Sequence, residues 1–172
     1  MSQNDQIMIL VKGLNNRVHY ILRHVFFKIL GVRPIITNDK DAFLQCSFPK
    51  LNYTLQRLGD EPYIYPGGLV YEKGICPHDI KVDQFKDFPV LFYNGNEEFP
   101  FDVFSAVFYM ISRYEEYLAF HPDKYNRFPV VESIAWKYNF LDVPIVDKWI
   151  YMLVQYTTGN IVDDYSNGSF NS

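Results

Sequence analysis

The first thirty-odd residues constrain the fold more than any other stretch, because they spell a strand, a helix and a second strand. Ile7-Met-Ile-Leu-Val11 is a continuous apolar run of strand length, the pattern of a strand covered on both faces. Gly13 breaks it, and Asn15 or Asn16 can cap a following helix. Val18, Ile21, Leu22, Val25, Phe26 and Ile29 then recur at helical spacing and define one buried face, with Gly31 placed to end the helix. Residues 33–37 read as the second strand. A strand–helix–strand of this length is a βαβ unit, so its strands are expected to be parallel neighbours with a right-handed crossover.

The middle of the chain changes character. Residues 51–56 and 62–66 alternate apolar and polar, Gly67-Gly68 precedes Leu69-Val-Tyr71, and the run 88–93 ends at Asn94-Gly95. Short strands joined by turn residues predict antiparallel pairing. The remainder reads as helical: a helix over 101–120, a turn near 131–138 and a helix over 146–158. The expected class is α/β, a mixed sheet opening with a βαβ unit, short antiparallel strands in the middle and a helical C-terminal third. Residues 7–158 read as a single domain, and 159–172 as a flexible polar tail. Strand order does not follow from the sequence.

Composition excludes several classes. Of 172 residues, 48% are hydrophobic and 18% aromatic, which argues against disorder. The net charge of −4 with dispersed basic residues argues against a nucleic-acid partner. The polar N-terminus carries no basic leader, and no run of apolar residues is long enough for a membrane span. Two cysteines, Cys46 and Cys76, form neither a disulfide framework nor a metal-ligand pattern, so a reducing cytoplasmic setting is expected. Fourteen tyrosines exceed what a core of this size hides, which predicts an exposed aromatic patch or a homodimer that covers it.

Chemistry-bearing residues concentrate between Phe99 and Trp149. Asp102 stands where a carboxylate caps the predicted helix. On a helical projection Arg113 and Glu116 fall on the side of Asp102 and Tyr109, whereas Glu115 lies at the edge of the apolar stripe Phe104, Val107, Phe108, Ile111 and Leu118. A carboxylate there needs a partner, and Arg113 and Arg127 are the candidates. One reading is a structural charge lattice of Asp102, Arg113, Glu115, Arg127 and Asp147. The other is a small hydrolytic α/β enzyme using Glu115, Glu116, His121 and Asp123, flanked by Arg113 and Arg127. Adjacent helical positions point about 100° apart, so Glu115 and Glu116 are poorly placed to share one ligand, and the lattice is the favoured reading.

Elsewhere the signals are thin. His121-Pro-Asp123 is the only histidine–carboxylate pairing near that segment, His19 and His24 fall on the first helix and His78 in a loop, so no metal is expected. His24 aligns with Arg17 and Lys28 as a solvated basic stripe. The loop 12–16 opens a helix after a buried strand, a place where α/β sheets bind anions, but it lacks any glycine-rich phosphate fingerprint and reads as an ordinary turn. Neither Cys46, beside Phe43, Leu44 and Phe48, nor Cys76, before Pro77, carries a nucleophile signature, and Ser105, Ser112 and Ser133 lack a nucleophile elbow. No cofactor is expected.

One larger pattern emerges from the ordered set Phe101-Asp102, Phe108-Tyr109, Ser112-Arg-Tyr-Glu-Glu-Tyr117, Asp123, Arg127-Phe128-Pro129, Glu132-Ser133, Phe140-Leu141, Pro144, Val146-Asp147 and Trp149. With Arg17, Tyr20-Ile21, Lys28-Ile29-Leu30-Gly31, Tyr53-Thr54, Leu69-Val-Tyr71-Glu72 and Gly74-Ile75 upstream, it resembles the N-terminal domain of uncharacterised function in bacterial polysaccharide-deacetylase-like proteins. In that family a larger deacetylase-type domain follows and would carry the metal-binding Asp and His residues. No Thr-Phe-Asp-Asp-Gly-like or His-x-x-x-His motif occurs here. The resemblance therefore implies a non-catalytic accessory domain, whose partner is a deacetylase-type catalytic domain, a second copy or a glycan.

Overall fold

The computed structural model describes residues 6–158, so the tail expected over 159–172 lies outside the described residues. Strand β1 (Gln6–Val11) is central in a three-stranded parallel sheet of order β2-β1-β3, with β2 Arg33–Thr37 and β3 Lys50–Tyr53. Ile9 sits opposite Ile36 on one side and Leu51 on the other. The expected βαβ unit is present. Asn15 caps α1 (Asn16–Leu22) by accepting the Val18 amide, and the helix continues as a π-helical segment over Arg23–Ile29. Val18, Ile21, Leu22 and Val25 are fully buried. Each such side chain contributes roughly 1.5–3 kcal/mol by leaving water.

Ile29 departs from expectation and is 42% exposed. The cause is the π segment: Leu30 bonds back to the Val25 carbonyl at 3.1 Å, the extra residue per turn rotating Ile29 off the buried stripe. A short helix, α2 (Lys40–Gln45), follows β2, capped by Asp39 and anchored by buried Phe43. It returns the chain so that β3 runs parallel to β1, not antiparallel as its alternation implied. Residues 62–66 contribute only the bridge Asn52–Tyr63, since Pro62 and Pro66 have no amide to give a ladder. Residues 69–71, expected as a strand, form a 3₁₀ turn.

Antiparallel pairing does occur between β4 (Val82–Phe85) and β5 (Phe88–Leu91). Lys86 and Asp87, both left-handed at φ 48° and 64°, make the two-residue turn whose twist suits a hairpin. The C-terminal third holds α3 (Val103–Ile111), α4 (Ile134–Lys137) and α5 (Ile145–Thr158). Trp149, fully buried on α5, donates from Nε1 to the Pro89 carbonyl at 2.8 Å and so fastens α5 to the hairpin. Tyr156 accepts the Tyr63 amide and donates to Glu98, and burial pushes its hydroxyl up to about 12.

Asp102 joins these parts. It is fully buried and caps α3, its Oδ1 accepting the amides of Phe104 and Ser105 at 3.1 Å. Oδ2 accepts the Ser105 hydroxyl and the Gly67 amide, each at 2.6 Å. The Tyr53 hydroxyl, at the end of β3, reaches both oxygens at 2.8 and 2.9 Å. Gly67 can approach this closely because it has no Cβ: a methyl there would lie 3.1 Å from Phe92 Cβ and 3.2 Å from Asp102 Cβ. The sequence placed Asp102 in a lattice with arginines; the structure gives it hydroxyl and amide donors instead, because α3 turns its capped end into the core.

Truncating Asp102→Ala strands the Tyr53 hydroxyl and the Gly67 amide without their acceptor, and about 3–5 kcal/mol of stability is expected to be lost in urea unfolding. Burial also pushes the Asp102 carboxyl above its ordinary value despite the hydrogen bonds that favour its charged form. The folded state then holds that proton more tightly, so its contribution is full below the unfolded carboxylate value and is lost as pH rises through the folded one. The stability gap between wild type and Asp102→Asn is therefore expected to be widest in acid and to narrow as pH rises.

Candidate functional site

The helix expected over 101–120 ends early. Arg113 takes a left-handed backbone conformation, φ 52° and ψ 46°, and a 3₁₀ turn Tyr114–Tyr117 follows. Tyr114 accounts for the break. Its ring packs against Tyr109 at 5.6 Å, and its hydroxyl accepts the Cys76 amide at 2.9 Å, a long-range bond that a continued helix would not reach. The helical projection of residues 113–116 is overturned with it. Arg113 points into a groove, away from buried Asp102, and forms an ion pair with Glu116.

The loop beyond is closed by Asp123. Its Oδ1 accepts the amides of Tyr125 at 2.8 Å and Arg127 at 2.9 Å, and its Oδ2 accepts Arg127 Nε and Nη2 at 3.3 and 3.2 Å. The Asp123 amide in turn donates to the Arg127 carbonyl at 2.9 Å, and Asn126 turns the loop at φ 61°. The Arg127 guanidinium lies over the Tyr125 ring, 4.8 Å from its centroid. Chiefly the Arg127 amide holds the Asp123 carboxyl below the usual carboxylate range. Phe120 and Phe128 meet edge to face at 5.1 Å.

Together these residues line an open groove of about 730 Å³, formed by Arg113, Glu116, Phe120, Asp123, Asn126, Arg127, Phe128, Pro129 and Val130. Four of the six residues of the enzyme reading thus meet there. Glu115 and His121 do not line it. Glu115 Oε1 accepts the Ile134 amide at 2.6 Å, at the start of α4, and its carboxylate also bonds the Tyr109 hydroxyl. Burial pushes the Glu115 carboxyl up. Among the described residues no arginine pairs with it, so the arginine partner expected for it is replaced by an amide and a phenol. His121 lies near Glu132 rather than Asp123, with Nδ1 at 3.3 Å from Oε1. Asp147 is exposed in the first turn of α5 and makes no ion pair to another described residue.

The loop 12–16 has its crevice filled from within. In the order β2-β1-β3 the carboxyl ends of β1 and β3 flank a topological switch point, where open α/β sheets bind ligands. Here buried Leu69 and Val70 occupy that place. Asn15 donates to the Val70 carbonyl at 3.0 Å, Arg17 to the Leu69 carbonyl at 2.9 Å, and Lys12 sits over the Tyr71 ring. Among the described residues no group of three or more His, Cys, Asp or Glu side chains is arranged for a metal ion, and no helix is long and apolar enough to cross a membrane.

Sequence reasoning missed Tyr53, Gly67 and Ser105 as partners of Asp102, Tyr109 as a partner of Glu115, and the His78–Glu72 pair at 2.8 Å. The only local signals were Pro66-Gly67-Gly68 and a serine one turn into α3. Fold and groove together define a small α/β domain whose sheet crevice is closed and whose open, charged groove lies on a loop after the third helix. The chain belongs to a family of unknown function, DUF7033, whose model matches residues 7–159. Neither the curated proteins nor the solved structures gave a match.

Glu115→Gln tests the half-buried carboxyl. A raised folded value means stability present in acid and lost as pH rises through it. Wild type is expected to exceed the Gln variant most at low pH, with the two urea midpoints converging toward neutrality, where Gln still accepts the Ile134 amide.

Proposed function

We propose that residues 7–158 form one non-catalytic accessory domain of a polysaccharide-deacetylase-like protein, working by contact with a deacetylase-type catalytic domain. The observation that carries this is the surface of residues 117–141. Tyr117, Tyr125 and Trp136 are 65%, 63% and 52% exposed, and Val130, Val131 and Tyr138 also leave about half their surface in water. This concentration of exposed large apolar groups along one stretch supports a role in contact with a partner. The residue pattern over 101–149 supports the same reading by its resemblance to such leading domains, and free Cys46 and Cys76 suit a reducing cytoplasmic compartment.

The meeting of Arg113, Glu116, Asp123 and Arg127 in one groove favours a second reading, a hydrolase. General acid catalysis needs a proton-holding group aimed at the substrate. Glu115 has the raised carboxyl, but it is spent on Ile134 and Tyr109, and the groove carboxylates are each paired with arginine.

Two measurements separate these readings. The coding sequence around this chain is expected to contain, in the same or the next frame, a deacetylase-type domain with its metal-binding Asp and His residues; an unrelated neighbourhood contradicts the accessory reading. The chain alone is expected to release no acetate from N-acetylated oligosaccharides, whereas release abolished by Glu116→Gln or Asp123→Asn establishes the hydrolase.

A further inference from the structure

The groove is electrically balanced. Its ionisable side chains are Arg113, Glu116, Asp123 and Arg127, two of each sign, and each arginine is paired with one carboxylate. A ligand anion would meet Glu116 and Asp123 beside every guanidinium, and a cation would meet the arginines beside every carboxylate. The chemistry that suits both partners of a pair at once is a hydroxyl. It accepts from a guanidinium N–H and donates to the adjacent carboxylate without breaking the pair.

Both arginines are held before any ligand arrives. Arg127 is fixed by two bonds to Asp123 and by the Tyr125 ring beneath it. Arg113, at a left-handed backbone position, is held by its ion pair with Glu116. Yet their side chains remain 74% and 68% exposed, free to contact a ligand. Holding them in advance lowers the ordering cost of binding. Phe120 and Phe128 bring ring surface into the same groove, suited to the C–H faces of a polar ring. A volume of about 730 Å³ falls within the roughly 300–1,000 Å³ of small-molecule sites.

Building on the accessory reading above, we propose that this groove binds a neutral polyhydroxylated ligand, an oligosaccharide, with Arg113 and Arg127 as its hydrogen-bonding residues and Phe120 and Phe128 as its stacking surface. The domain would then hold a glycan chain while a neighbouring domain acts on it.

Amide NMR titration of the full chain tests this, with a neutral N-acetylglucosamine tetrasaccharide, a neutral glucose tetrasaccharide and inorganic phosphate as probes. At least one neutral tetrasaccharide is expected to shift amides within 113–130, with an affinity that does not change as salt is raised. Arg127→Ala and Arg113→Gly are each expected to weaken it by about fivefold or more, the loss of one hydrogen-bonding arm. Glycine suits the left-handed position 113, so that variant is expected to unfold at no lower temperature than wild type. No shift in the groove with either sugar, binding that survives both variants, or a salt-sensitive phosphate response alone overturns the assignment. If sugars fail to bind while a deacetylase-type domain lies next door, the accessory reading stands and this one falls. Release of acetate by the chain alone has the reverse effect, removing the accessory reading and leaving the groove.

Discussion

A carboxylate placed where no water reaches it must be surrounded by donors, and Asp102 takes its donors from three separate parts of the chain. Phe104 and Ser105 supply the helix end, Gly67 the loop over the sheet, and Tyr53 the last residue of β3. Removing any one donor leaves the others bonded, but removing the acceptor unties all of them. That asymmetry is why a single aspartate fixes the seating of α3 against the sheet, and with it the core that α1, α5 and the hairpin share.

The same arrangement fills the place where open α/β sheets usually bind ligands. Once Gly67 is drawn down to Asp102, the residues after it are delivered onto the carboxyl ends of β1 and β3. Leu69 and Val70 then fill the crevice, and Asn15 and Arg17 spend their donors on its carbonyls. An open groove lies at the loop beyond α3, where the left-handed Arg113 turns the chain outward and Asp123 closes it on itself. On the accessory reading proposed above, the paired charges there suit binding rather than proton transfer.

How much of this could be read from residues alone follows from the range of the interactions. The βαβ opening was legible because its periodicity, its cap at Asn15 and its glycines are local. Ile29 misled because a π turn leaves no mark in a 3.6-residue pattern. Helix α2 was missed because it is a six-residue helix with one buried anchor, Phe43, and so has no periodicity to show. The end of α3 was hidden because no glycine or proline stands there; a tyrosine bonding 38 positions away stops it. Asp102 was legible as a cap, but its other partners lie 35 and 49 positions distant. Around the groove the pairings differ from the expected ones: Glu116 pairs with Arg113, Asp123 with Arg127, and Glu115 accepts an amide.

Native-state hydrogen exchange at the Gly67 amide tests the central claim most directly. Gly67 lies at the exposed surface, where a loop amide normally exchanges by small local openings. Bonded to Asp102 at 2.6 Å, it is expected instead to exchange as slowly as the Phe104 and Ser105 amides, with the same dependence on denaturant. Fast exchange at Gly67 while α3 stays protected would contradict the view that this one carboxylate ties loop, sheet and helix together.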